Sequence, residues 1–445
     1  MKNQMFKILI ASLVFLVSAY TYAQNARLLQ SGPMVGYADM QEVLLWVQTT
    51  EPAEVQFTYH ELNQPNSVFL TEKYLTNKTE AFTAKLIADQ VVPGKTYVYK
   101  LFINGEAIER PYPLQFKTQS IWKWRGDAPD FSFLTGSCAY INQEEHDRPG
   151  TPYGGDYQVF ENMASHATDF MLWLGDNVYL REPDWNTKTG IMRRYTHTRS
   201  NPEMQALLAS RSNYAIWDDH DYGPNDADKG FYNKHLTLDA FKYFWGNPTV
   251  GINNIEGAIT SFQWADLDFF LLDNRWYKDA NGLQKEGKTI LGEEQLEWLF
   301  NNLVTSKASF KIVAMGGQFL SDAALYETYS ANGFNPEREK IIAFIQEHQI
   351  KNVIFLTGDV HFSEISKLET SGKPTIWDLT FSTMSAGPNK RGHEWKNSYR
   401  VQDKVFTDRN FGLIKVTGPL QDRKLEVYCY DKNNQLQYQM TIPKE

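Results

Sequence analysis

Four apolar runs in this chain end on side chains that can hold a metal ion. They are Phe131–Cys138, Phe170–Asp176, Tyr214–His220 and Val353–His361. Each reads as a buried strand with polar groups at its C-terminal end. A sheet that gathers such ends along one edge brings Asp, His, Cys and Tyr together from distant segments. Buried carboxylates cost several kcal/mol each unless paired or bound to a cation. The pattern therefore implies a polynuclear metal site and metal-dependent hydrolysis.

Each run contributes differently. Asp176 leaves its strand where a carboxylate can bridge two cations, and Tyr179, three residues on, offers a phenolate suited to a trivalent ion; the bland alternative is a structural turn. Trp217-Asp-Asp-His-Asp221 places three carboxylates in five residues, which repel unless a cation screens them. Asp219 is the ligand expected there. His220 is expected to act as general acid or oxyanion stabiliser, since an unperturbed imidazole titrates near neutrality. Asn225, in the loop that follows, either adds an oxygen ligand or shapes the turn. Asp359 and His361 alternate on extended chain, so they share a face. Cys138 brings a thiolate that calcium or magnesium does not select, whereas the carboxylates suit hard cations. A mixed site follows, with iron beside a harder ion. Arg275 closes another apolar run and either grips phosphate oxygens with two prongs or pairs with Asp273. His197, Arg199, Lys390, Arg391 and His393 are weaker candidates, and the last three are expected to face solvent.

These motifs resemble the PhoD-type alkaline phosphatases of the metallophosphoesterase superfamily. The resemblance rests on Leu134-Thr-Gly-Ser-Cys138, Trp173-Leu-Gly-Asp-Asn-Val-Tyr179, Trp217-Asp-Asp-His220, Leu272-Asp-Asn-Arg275, Leu291–Leu299 and Leu356-Thr-Gly-Asp-Val-His361. It implies an α/β fold, a four-layer α/β/β/α metallophosphatase sandwich preceded by a small fibronectin-like β-sandwich. It implies an Fe(III)–Ca(II) type centre, with Cys138, Asp176 and Tyr179 on iron and Asp176 bridging to calcium; Zn, Mn or Mg are the alternatives at the second position. Asp219 stands where most metallophosphoesterases have Asn, and Asp359 and His361 occupy the usual Gly-His-x-His position. The Gly-Asp-x-x-Tyr spacing is also similar to purple acid phosphatases, but their Asp-x-Gly start and Gly-Asn-His turn are missing. The loop after His220 departs from the commoner Glu-containing form, and no twin-arginine signal is present.

The elements that must position these groups follow from the patterning. Strand composition in Val43–Val47, Glu54–Tyr59 and Thr96–Phe102, with turns at Pro93-Gly94 and Asn104-Gly105, predicts a small β-sandwich over residues 27–118. Trp122, Trp124, Gly126 and Pro129 interrupt that pattern. Beyond them, residues 131–443 alternate strand and helix. Tyr157, Phe160, Met163, Ala164 and Ala167 share one helical face, as do Leu296, Leu299, Phe300 and Leu303. Asn335-Pro336 opens a further helix.

The 445 residues suffice for two domains, and 42% hydrophobic with 22% charged composition is ordinary for a globular chain. A net charge of −9 without a basic run argues against a stable nucleic-acid partner. Residues 1–23 read as a secretory signal: Lys2 and Lys7, the apolar stretch Phe6–Ala19, then Thr21-Tyr-Ala23. The stretch is too short for a permanent transmembrane helix, so a periplasmic or extracellular protein is expected. Cys138 and Cys429 are the two cysteines; a ligand role for the first and a core role for the second stand against a disulfide between them. The functional expectation is a secreted metal-dependent phosphatase or phosphodiesterase acting on a small phosphate ester. The alternatives are a phospholipase D-like phosphodiesterase acting on phospholipid and a non-catalytic calcium-dependent binding module. The sequence carries no sign of oligomeric state.

Overall fold

The computed structural model describes residues 27–326 and 328–445; the expected signal segment lies outside them. Two large sheets carry the fold. The first has nine strands in the order Leu436–Pro443, Lys424–Asp431, Asn410–Thr417, Phe131–Gly136, Phe170–Leu174, Ser212–Ile216, Leu29–Ala38, Val43–Thr49 and Thr83–Ala88. The second has seven, in the order Thr260–Trp264, Leu267–Leu271, Phe310–Ala314, Val353–Thr357, Ile376–Thr380, Ser363–Leu368 and Arg400–Phe406.

Side-chain alternation builds the layers. In the Phe170–Leu174 strand, Phe170, Leu172 and Leu174 enter the core between the sheets, while Met171 and Trp173 enter the core under the outer helices. The second sheet does the same: Phe269 and Leu271 face inward, and Phe270 faces outward onto Leu296, Leu299 and Leu303. Helices Gln158–Ser165, Lys188–Arg199 and Lys234–Phe244 cover the first sheet through Phe160, Ile191 and Phe241. Helices Glu293–Thr305 and Asn335–Glu347 cover the second through Leu299 and Ile345. The four-layer α/β/β/α sandwich expected from the motifs is present.

The N-terminal strands have a second role. Leu29–Ala38 pairs in parallel with Ser212–Ile216, with Val35 opposite Ser212. It also pairs antiparallel with Val43–Thr49, which pairs with Thr83–Ala88. A separate six-stranded sheet, centred on Glu54–Glu61 and Thr96–Ile103, packs into the same inner core. The N-terminal strands thus share one sheet with the α/β region that follows them. Trp46 fixes that seam: it is buried, and its Nε1 donates to the Tyr243 carbonyl at 2.7 Å.

Candidate metal centre

Parallel pairing brings the strand ends together. Gly136 lies opposite Trp173, and Leu174 opposite Ile216, so Cys138, Asp176 and the acidic turn leave the first sheet side by side. In the second sheet Ala314 lies opposite Leu356, and Thr357 opposite Thr380, which aligns Gly316, Asp359 and Ser382. Crevices at the carboxyl ends of strands are where open α/β sheets bind ligands. The two edges close on each other: a side chain at Gly316 or Gly358 would strike Asp218 or Ser137.

The backbone turns sharply at four of the candidate ligand positions. Cys138, Asp176, Asp359 and His361 adopt positive φ of 61°, 52°, 65° and 61°. Such conformations cost about 1–3 kcal/mol each in non-glycine residues and cluster at functional sites. Here they aim four side chains into one cluster. Cys138 Sγ lies 3.7 Å from Asp176 Oδ2, and Tyr179 Oη lies 3.3 Å from His361 Nε2. Three groups have ligand atoms within 4.8 Å of one another: Cys138, Asp176 and His361; Asp176, Asp219 and His220; Asp218, Asp219 and Asp359. Asp176 links the first group to the second, and Asp219 links the second to the third.

This donor set fits cations. Burial first, then the charges of Asp219, Cys138, Asp218 and Asp359, pushes the Asp176 carboxyl well above its ordinary range. Burial and Asp359 push the Cys138 thiol up to about 12. Burial, then Asp176 and Cys138, pushes the Tyr179 phenol far up. Crowded acids of this kind cannot all ionise together, and a bound cation reverses that balance. Asp219 Oδ1 is buried without a hydrogen bond, while Oδ2 accepts from the Asp226 amide at 2.7 Å. Burial lowers the His361 pKa and favours neutral imidazole. Its Nδ1 lies 2.5 Å from the Gly387 carbonyl, which can only accept, so Nδ1 carries the proton and Nε2 keeps its lone pair toward Tyr179.

The remaining expected residues divide between the cleft and its support. His220 lines the cleft, its ring 4.2 Å from that of Tyr179 and its amide 3.2 Å from Asp176 Oδ1. Asn225 is exposed at the cleft wall. Arg275 is 1% exposed and does not line the cleft. Its Nε bonds Asp218, its Nη2 lies 3.6 Å from Asp219, and Asp273 accepts its backbone amide, at 2.8 Å. The salt-bridge alternative thus has a different partner: the guanidinium sits behind the acidic turn and holds Asp218, so its geometry disagrees with a direct phosphate grip. Both cysteines are free, and Cys429 lies in the inner core. Lys390 pairs with Asp408 at 2.8 Å and Arg391 with Glu394 at 2.7 Å, outside the cleft lining. Arg199 is buried against the Trp245 ring at 4.0 Å, and His197 Nε2 lies 3.1 Å from the Asn142 carbonyl.

Sequence reasoning passed over two contributors. Asp218 joins the ligand cluster, and Asn274 Nδ2 donates to it at 2.8 Å. Ser382 Oγ lies 3.3 Å from Cys138 Sγ and accepts from the His361 amide at 3.0 Å, tying two ligand segments together. The signal for Ser382 was Ile376–Thr380, a further strand, apolar but for Asp378, that runs into hydroxyls.

Arg275→Ala leaves Asp218 buried without its guanidinium. Removing one partner of a buried pair costs about 3–5 kcal/mol. Urea denaturation in chelator should show a loss of that size. Unchanged stability with a raised KM would restore the phosphate-grip role.

Comparison with known proteins agrees with this geometry. Residues 133–417, more than half of the chain, match the model of the PhoD-like phosphatases. Residues 26–121 match a domain of unknown function (DUF7800). The alkaline phosphatase D of Bacillus subtilis (strain 168) is 27% identical over 361 residues, covering 69% of this chain. This chain spans 59% of that relative's length. In fold, a solved structure of PhoD superposes with a TM-score of 0.75 at 20% identity, covering 94% of this chain and 93% of its own. The purple acid phosphatase PPD1 of yellow lupin (Lupinus luteus) superposes with a TM-score of 0.64 at 12% identity, covering 93% and 74%. Because the matched region runs through all four strand ends that build the cluster, the chain belongs to the PhoD-like phosphatase family.

Proposed function

We propose that this chain is an exported, metal-dependent hydrolase of small phosphate esters with an iron–calcium type centre. The observation that carries the reading is the chain of three ligand groups joined through Asp176 and Asp219. Family membership supports the reaction class. The thiol and phenol beside Asp176 support iron on one side, and the all-carboxylate group on the other supports a hard cation such as calcium. For export the support is the sequence pattern of residues 1–23; no helix among the described residues is long and apolar enough to cross a membrane.

Each residue then has a task. Cys138, Asp176, Tyr179 and His361 hold the first cation, with the His361 ring fixed by the Gly387 carbonyl. Asp176 bridges. Asp219, Asp359 and Asp218 hold the second, and Asn225 stands at the wall as a further oxygen donor. Bound there, the cations supply Lewis acidity for the phosphoryl oxygens and acidify water near neutral pH. His220 donates a proton to the departing oxygen. Arg275 keeps the acidic turn in register without touching substrate.

The finer metal assignment has a direct test. A phenolate on ferric iron absorbs visible light. The purified protein should contain iron and calcium and be coloured, and Tyr179→Phe should bleach it. A colourless protein holding only zinc or manganese would contradict the iron assignment. Hydrolysis of a phospholipid but not of a nucleotide would move the substrate to the phospholipase D-like alternative.

A further inference from the structure

The cleft over the ligand cluster encloses about 310 Å³, near the lower bound for small-molecule sites. Its floor is Asp176, His220, Asp359 and His361, and its mouth is aromatic. Tyr326 and Trp395 stack there with ring centroids 5.1 Å apart and planes 12° from parallel. Trp395 is anchored edge-on against Phe362, centroids 5.2 Å apart at 80°, and Phe362 is buried immediately after His361. Tyr326 is 72% exposed. The pair is therefore held from below and open from above.

We propose that the stacked Tyr326–Trp395 pair is a binding subsite for the heterocyclic base of a nucleotide ester whose phosphate lies over the metal cluster. The inference rests on the phosphoesterase reading and names a substrate class for it. Three features carry it. A flat ring surface of two stacked aromatics accepts any base by its π face. Among the described residues no Lys or Arg lines the cleft, so the mouth is not built to read further negative charge. The amide of Asn389 stands in the same lining and suits the polar edge of a base. Tyr326 and Trp395 are specificity-determining residues here and take no part in the chemistry.

The test is equilibrium binding to the metal-loaded protein, measured by calorimetry with three probes that it cannot hydrolyse: the 5′-methylenephosphonate analogue of adenosine monophosphate, the matching methylenephosphonate of ribose 5-phosphate, and inorganic phosphate. The first two differ only in the base. The wild type should bind the nucleotide about tenfold more tightly than the sugar phosphate, within the range of base–aromatic stacking. The double variant Tyr326→Ala/Trp395→Ala should bring the two affinities together, and Tyr326→Phe should retain the difference. Inorganic phosphate should bind all variants equally, showing an intact floor. Equal affinities in the wild type, or a preference that survives in the double variant, would overturn the proposal. Absence of turnover on any phosphate ester would overturn the phosphoesterase reading instead, and the binding comparison would still judge the subsite.

Discussion

Asp176→Ala should abolish turnover and empty the centre of metal together. Asp176 is the residue common to the iron-side and carboxylate-side groups, so its loss removes a ligand from both. Gly175, at φ 89°, lies so close to Asp218 that a side chain there would collide, and this tight turn aims the carboxylate at the cluster. Loss of an outer-shell partner of a metal site costs about 10–100-fold; loss of a shared direct ligand should exceed that in kcat, with metal content by elemental analysis falling in parallel. Asp176→Asn separates charge from shape. In chelator the wild type folds with this carboxyl pushed far above its unfolded value, burial being the first cause. The native state then holds protons that the unfolded state has released, so stability must fall as pH rises above the ordinary carboxylate range. D176N removes that contribution, and its stability should fall less steeply. Urea denaturation across pH in chelator reads the difference. Full turnover in D176A would remove the basis of the whole assignment.

His220→Gln should slow the enzyme by about 10²–10⁴-fold on alkyl phosphate esters, the range for loss of a general acid. The loss should be much smaller on p-nitrophenyl esters, whose leaving group departs without protonation. The imidazole lines the cleft against Tyr179, and its own amide is bonded to Asp176, so the backbone positions it whatever its side chain holds. His220 also belongs to the ligand group with Asp176 and Asp219. The leaving-group comparison decides between the roles. A proton donor gives unequal losses with metal retained; a metal ligand gives equal losses with metal depleted.

How much of this was legible in the sequence depended on whether the signal was local. The runs ending at Cys138, Asp176 and Asp359 read as strands because each is apolar on both faces, as strands sandwiched between layers must be. Helices Glu293–Thr305 and Asn335–Glu347 showed an apolar stripe or a Pro at the first turn. Helix Lys188–Arg199 showed neither, because it buries Arg194 and Arg199 through specific partners alongside Ile191, Met192 and Tyr195. Arg275 reads locally as either a phosphate grip or a partner of Asp273, two residues away; the fold brings Asp218 to it from the other sheet. The joining of the N-terminal strands to the first sheet depends on one parallel ladder between Leu29–Ala38 and Ser212–Ile216, which has no local signature. Tyr153, Tyr326 and Trp395 meet at the cleft from three separate loops, where no periodicity marks them.

The most direct measurement is release of p-nitrophenol from bis-p-nitrophenyl phosphate by residues 24–445, first as purified, then with chelator, then with calcium restored. The account predicts turnover that chelator abolishes and calcium restores. Turnover indifferent to chelator in a protein shown to be free of metal would contradict it.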